Sequence, residues 1–190
     1  IDCTPLDLGR QADIFERLAD TSPINVIAAT GVYRWVPLTY YTWNPDAIAE
    51  YFIKDIEIGL ESTSVKAGII KLAWDYEYRL DDGPSSPHFQ LEKAARGAAR
   101  ASRATGVPIT CHTRASDKLG LPLLDIFEDE GLDLRAVTIG HSSDSQDMSY
   151  IKQLLMRGTT VGLDRFQATL SDDEKHRRSQ IAFDLLQSGF

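Results

Sequence analysis

The sequence predicts a parallel α/β fold and, within that class, an incomplete (β/α)8 TIM barrel. Three observations carry the prediction. Short apolar runs alternate with amphipathic stretches at least five times along the 190 residues. No Gly-rich phosphate turn follows the first run, although an open doubly wound sheet usually has one there. Lys71, His112, His141, Asp164 and Arg165 fall at or just past the C-terminal ends of runs, where barrel enzymes carry their chemistry.

The predicted strands are residues 24–30 (INVIAAT), 67–72 (AGIIKL), 107–112 (VPITCH), 136–141 (AVTIGH) and 159–164 (TTVGLD). Each is mostly apolar, which suits a parallel strand covered on both faces. Residues 1–4 (IDCT) read as the tail of one more, giving six. A barrel needs eight strands and typically about 250 residues. Helices are predicted between the runs. Asn44-Pro45-Asp46 supplies an N-cap, a proline at the first helical position and an early acid, and Ser86-Pro87 repeats the pattern. Ser171 with Glu174 forms a capping box, flanked by Asp172 and Asp173, and opens a helix over 171–189. Gly106, Gly131 and Gly158 sit where helix-ending glycines belong. The stretch 91–105 (LEKAARGAARASRAT) spaces Arg96, Arg100 and Arg103 along one helix face. An anion site is one reading, and a solvated face is the plainer one.

Composition limits the function classes. The 20 Lys and Arg against 28 Asp and Glu leave a formal charge of −8, which argues against a general binder of nucleic acid or membrane surface. With 43% apolar and 25% charged residues, the chain has the balance of a soluble globular protein. No apolar run reaches the roughly 18 residues of a membrane helix, and no secretion signal is visible, which favours the cytoplasm. The chain begins at Ile1 and not at Met, so the missing signal says little. Cys3 and Cys111 do not make a disulfide framework.

His112 and His141 each end a run. By strand alternation Thr110 and Ile139 share their faces, and imidazoles from neighbouring strands would converge on one point. Imidazole is the commonest zinc ligand. A lone histidine would more simply bond a backbone carbonyl, but two on consecutive strands favour a metal or catalytic role. Lys71 interrupts an apolar strand, where lysine is rare. It could snorkel to the barrel mouth, act as a desolvated amine forming a Schiff base, or take up carbon dioxide and become a carbamate. The nearby histidines favour the carbamate, since an ammonium would repel a cation. Cys111, next to His112, points to the opposite face and reads as a small buried apolar residue, as does Cys3. His88, in the stretch DDGPSSPHFQ, and His176, on a polar helix, read as surface residues.

The ordered runs KAGIIKLA, VPITCHTRA, TIGHSSDSQDMSYIKQL and GTTVGLDRF resemble the phosphotriesterase family of the amidohydrolase superfamily, which includes phosphotriesterase-like lactonases. The segments IDCTPLDLGR, GVYRWVPLTYY and IAEYFIKDIEIG add to the resemblance, which covers almost the whole chain. It implies a binuclear metal site at a barrel mouth. Lys71 would be the carboxylated lysine bridging two divalent ions, zinc first, with cobalt, iron or manganese as alternatives. His112 and His141 would be ligands of the second ion. Arg165 resembles the lactonases' pocket-gating arginine, Tyr33 and Trp35 would line the substrate pocket, and Asp144 and Asp164 would orient the site from behind. The implied reaction is hydrolysis of a lactone or phosphotriester-type ester by a hydroxide bridging the ions. The implied partner is a small ester or lactone, with neither nucleic acid nor membrane, and a homodimer of the full-length parent is left open.

The family's His-x-His pair on strand 1 and its ligand and proton-shuttle Asp on strand 8 are absent from these 190 residues. The expectation is therefore one partial barrel domain, residues 1–190, spanning about strands 2–7 and truncated at both ends. Alone it should be poorly active or inactive. Two other readings stay open: a Schiff-base lyase or aldolase using Lys71, and a degenerate barrel without catalysis.

Overall fold

The computed structural model describes residues 1–75, 83–166 and 169–190. Five strands form one all-parallel sheet: β1 (Ala28–Val32), β2 (Ala67–Trp74), β3 (Ile109–Thr113), β4 (Val137–Gly140) and β5 (Thr160–Val161), in the spatial order β1-β2-β3-β4-β5. Each strand is followed by a helix: α2 (Pro45–Glu57), α3 (Pro87–Thr105), α4 (Gly120–Asp129), α5 (Met148–Met156) and α6 (Asp172–Gln187); α1 (Ala12–Thr21) precedes β1. A doubly wound sheet reverses its strand order at a switch point. Here sequence order equals spatial order throughout, as in an arc of a (β/α)8 barrel. The fold is α/β with the topology of an incomplete TIM barrel.

Local chemistry explains the helices. Asn44 accepts from the Ala47 N–H at 2.9 Å and Ser86 from the N–H groups of His88 and Phe89, each with proline next in sequence. Ser171 accepts from the Glu174 N–H at 3.2 Å. The Glu174 carboxylate turns to Arg177 and Arg178, so only half of the expected capping box forms. Gly106, Gly131 and Gly158 have φ of +76°, +70° and +91°, as helix-ending glycines should. Arg96 and Arg100 bind Glu130 at the end of α4, and Arg103 donates to the Glu130 carbonyl. The arginine row thus ties α3 to α4 and is neither an anion site nor a freely solvated face.

The strands shift from their sequence limits. β1 begins at Ala28 because Ile24 and Ile27 are exposed; the expected run from residue 24 is not strand. Residues 1–4 form no strand, which corrects the count from six to five among the described residues. Their link to the sheet's edge region is one bond from the Asp2 N–H to the Ile27 carbonyl at 2.8 Å. β2 runs two residues further than expected, to Trp74, which carries the chain to Asp75 on the same face as Lys71.

The two faces of the sheet differ. Ile70, Leu72, Ile109, Cys111, Val137 and Ile139 are buried under the helices with Phe52, Leu123, Phe127 and Leu154. On the other face Ile69, Lys71, Thr110 and Thr138 keep partial exposure. The helix-side core holds the arc together, and the opposite face is left for the site.

Candidate metal centre

Register brings the site residues together. Lys71 pairs with Thr110 and Ala73 with His112, so Lys71, Asp75 and His112 project from one face. Gly31 lies beside Lys71 on β1, with φ +117°. A Cβ there would sit 2.0 Å from the Lys71 carbonyl oxygen, so only glycine lets the two strands approach at this point.

His112 is 8% exposed, and its Nε2 lies 2.7 Å from Oδ1 of Asp75. The other Asp75 oxygen accepts from Arg34. Burial opposes ionisation of Asp75, but the bonds from His112 and Arg34 outweigh it and hold the carboxyl down at about 2. His141 follows β4 with φ +61°, a left-handed conformation that costs a non-glycine residue about 1 kcal/mol. Simple alternation would have put it with Ile139, which is fully buried against the helices. The left-handed turn corrects that expectation by aiming the ring at His112: the two ring centroids are 4.6 Å apart, edge to face. Nδ1 of His141 lies 2.9 Å from Oδ1 of Asp164. Burial raises the Asp164 pKa, but the contact with His141 outweighs it and leaves the pKa below the ordinary value.

Tyr33 lies between the lysine and His112. Its ring centroid is 5.2 Å from that of His112 and 5.6 Å from Nζ of Lys71. Burial, then the Asp75 charge, raises its phenol pKa. The Asp7 carboxylate fixes this loop by accepting the backbone N–H groups of Tyr33, Arg34 and Trp35 at 2.9, 2.9 and 3.0 Å. Trp35 itself is 74% exposed and lines a neighbouring cleft with Val36, Tyr41 and His88. Arg165 pairs with Asp144, which also pairs with Arg178 at 2.7 Å. Asp164 thus braces a histidine, whereas Asp144 organises arginines and touches no imidazole among the described contacts.

Sequence reasoning missed Asp75 and Arg34. The signal for Asp75 was present: it lies four residues after Lys71, on the same strand face, at the C-terminal end. Arg34 had none, because its loop geometry depends on Asp7. His88 is half-buried at the start of α3 and not on a surface loop, while Asp81 and Asp82 of that stretch lie outside the described residues. His176 is exposed and Cys111 fully buried, as expected; Cys3 is half-buried.

A cation needs nitrogen lone pairs aimed at a common point. Each imidazole has one nitrogen held by a carboxylate, Nε2 of His112 and Nδ1 of His141, which leaves the other nitrogen of each ring as a donor. Carboxylate-braced histidines of this kind are typical metal ligands. Among the described residues no group of three or more His, Cys, Asp or Glu side chains could hold an ion. The donors present therefore fit part of a ligand set: two imidazoles, with the Lys71 amine on the same face.

The parallel β/α arc is that of a partial barrel, with two histidines in ring contact at the ends of its strands. The sequence profile of the phosphotriesterase family matches residues 1–190, and the chain belongs to that family. A phosphotriesterase homology protein of Mycobacterium tuberculosis is 36% identical over 175 residues, which cover 87% of this chain and 51% of the relative. An aryldialkylphosphatase of Saccharolobus solfataricus is 36% identical over 168 residues, with the same shares. An N-acetyltaurine hydrolase of Dictyostelium discoideum is 25% identical over 175 residues, covering 90% of this chain and 45% of the relative. The chain thus spans about half the length of the curated relatives it matches. No helix among the described residues is long and apolar enough to cross a membrane.

Proposed function

We propose that this chain carries part of the active site of a metal-dependent hydrolase cleaving a lactone or a phosphotriester-type ester. The single observation behind this reading is the pair of touching imidazoles, each braced by its own carboxylate, at the C-terminal ends of parallel strands. The hydrolase names of the relatives support it. His112 and His141 would hold a divalent ion, with zinc the first candidate. Lys71, carboxylated at Nζ, would add an oxygen donor beside them. Ions held there supply Lewis acidity and lower the pKa of a water molecule.

The chain's own residues do the rest. Asp75 and Asp164 fix the ring orientation and tautomer of the two histidines. Tyr33 closes one wall and offers a hydroxyl toward the substrate oxygen. Arg165, held by Asp144, shapes the far wall. The remaining members of this set depend on the histidines, so the test begins with them. Zinc titrated into the 190-residue chain should be bound by the wild type, with affinity falling at least about tenfold in His112→Ala, His141→Ala and Asp164→Asn. Undiminished zinc affinity in the two histidine variants would refute the proposal.

A further inference from the structure

Beside His112 lies a polar cleft of about 230 Å³, lined by Arg34, Arg114 and Arg165 together with Asp75, Asp144 and Ser116. Three guanidiniums around one small cleft are unexpected in a chain of net charge −8. Their pairing leaves donors over. A guanidinium has five N–H donors. Among the described residues Arg165 engages only Asp144, through Nη1, and Arg114 only Asp117, also through Nη1. Nε and Nη2 of both therefore lack an acceptor among the described residues, and both side chains are partly open, 38% for Arg165 and 50% for Arg114. Asp144 is also shared: it meets both Arg165 and the buried Arg178, which in turn reaches Glu174 at 3.2 Å, so Arg165 has no carboxylate to itself. Arg34 spends Nε and Nη2 on Asp75 and serves as a wall.

We infer that this cleft is a subsite for an anionic substituent, a carboxylate or a phosphate, on the substrate of the neighbouring centre. Arg165 and Arg114 grip the anion through their spare donors, a planar fork geometry that suits both oxyanions. The substrate class narrows to a small ester or lactone bearing a negative charge at the end remote from the bond cleaved. This inference rests on the hydrolase reading for what the cleft serves, but the anion site itself is a property of the arginines.

The test uses the metal-free 190-residue chain, with inorganic phosphate and acetate as separate probes. Arginine Nε–H signals are followed by NMR in the wild type, Arg165→Gln, Arg114→Gln and His141→Ala. Both arginines are partly exposed, and a dispersed amide spectrum checks that each variant is folded. Phosphate, acetate or both should shift the Arg165 and Arg114 signals saturably while leaving Arg17, an exposed arginine on α1, unmoved. The probe that binds more tightly assigns the substituent as phosphate or carboxylate. Each glutamine substitution should weaken binding by about tenfold, one charge-assisted contact, and His141→Ala should leave it unchanged. No saturable shift with either probe would overturn the inference, as would binding that survives both glutamine substitutions. Binding that appears only with added zinc and disappears in His141→Ala would also overturn it, because the ion and not the arginines would then hold the anion. Zinc titration of the same samples reports separately on the hydrolase reading.

Discussion

Replacing Asp75 by Asn keeps the side chain's size and removes its charge, at a position with 4% side-chain exposure. In the wild type one oxygen serves His112 and the other Arg34. Asparagine has a single carbonyl oxygen, so one of the two donors must face an amide N–H. The magnitude follows from the carboxyl's acidity, about 2 in the fold against an ordinary 3.8. At about 1.4 kcal/mol per pKa unit, and discounted for the open side of the cleft, the charged form contributes about 2 kcal/mol to folding. A depressed folded pKa gives stability that is fully present above the unfolded value and is lost as pH falls through the folded one. The wild-type advantage over Asp75→Asn should therefore be flat from pH 7 to 5, then shrink below about pH 4 and approach zero near pH 2. Urea titration followed by tryptophan fluorescence measures it, as a midpoint shift of roughly 1 M at pH 7. A difference below about 0.5 kcal/mol at pH 7, or one that grows between pH 5 and pH 3, would refute the view that Asp75 is held ionised by these two partners.

Gly31→Ala should destabilise the chain by at least about 3 kcal/mol, because a disfavoured backbone and a contact with the Lys71 carbonyl act together. Thermal denaturation reads it, and a Tm within a degree or two of wild type would contradict the β1–β2 geometry. Ser171→Ala removes the acceptor for the Glu174 N–H and should cost about 1 kcal/mol; hydrogen exchange should show faster exchange confined to the first turn of α6. Burial pushes the Cys111 thiol up to about 12, so native protein treated with iodoacetamide at pH 8 should be alkylated at half-buried Cys3 and not at Cys111, as peptide mass spectrometry can report. Equal labelling of both cysteines would mean that the helix-side core opens readily.

Much of this architecture was legible in the chain itself. Alternation of apolar runs with capped amphipathic stretches determined an α/β protein of parallel strands, since those signals are local: an N-cap at Asn44, Ser86 or Ser171 acts on N–H groups two or three residues away. The ordered motifs determined the family, and the positions of Lys71 and His112 late in apolar runs singled them out, although β2 continues past Lys71 to Trp74. Other features depended on residues far apart in sequence, which no local pattern encodes. Alternation alone would have turned His141 into the core; the left-handed turn after Gly140 is what sends it to His112. Asp75 acquires its role only when β2 and β3 lie side by side, and Arg34 reaches it only because Asp7, 27 residues earlier, pins the loop. Composition and spacing thus determined which elements form and which residue types stand at their ends. Tertiary structure decided which imidazole nitrogen each carboxylate holds and which guanidinium donors remain unspent, because directional bonds of a few ångströms are set by strand register and loop closure and not by sequence neighbours.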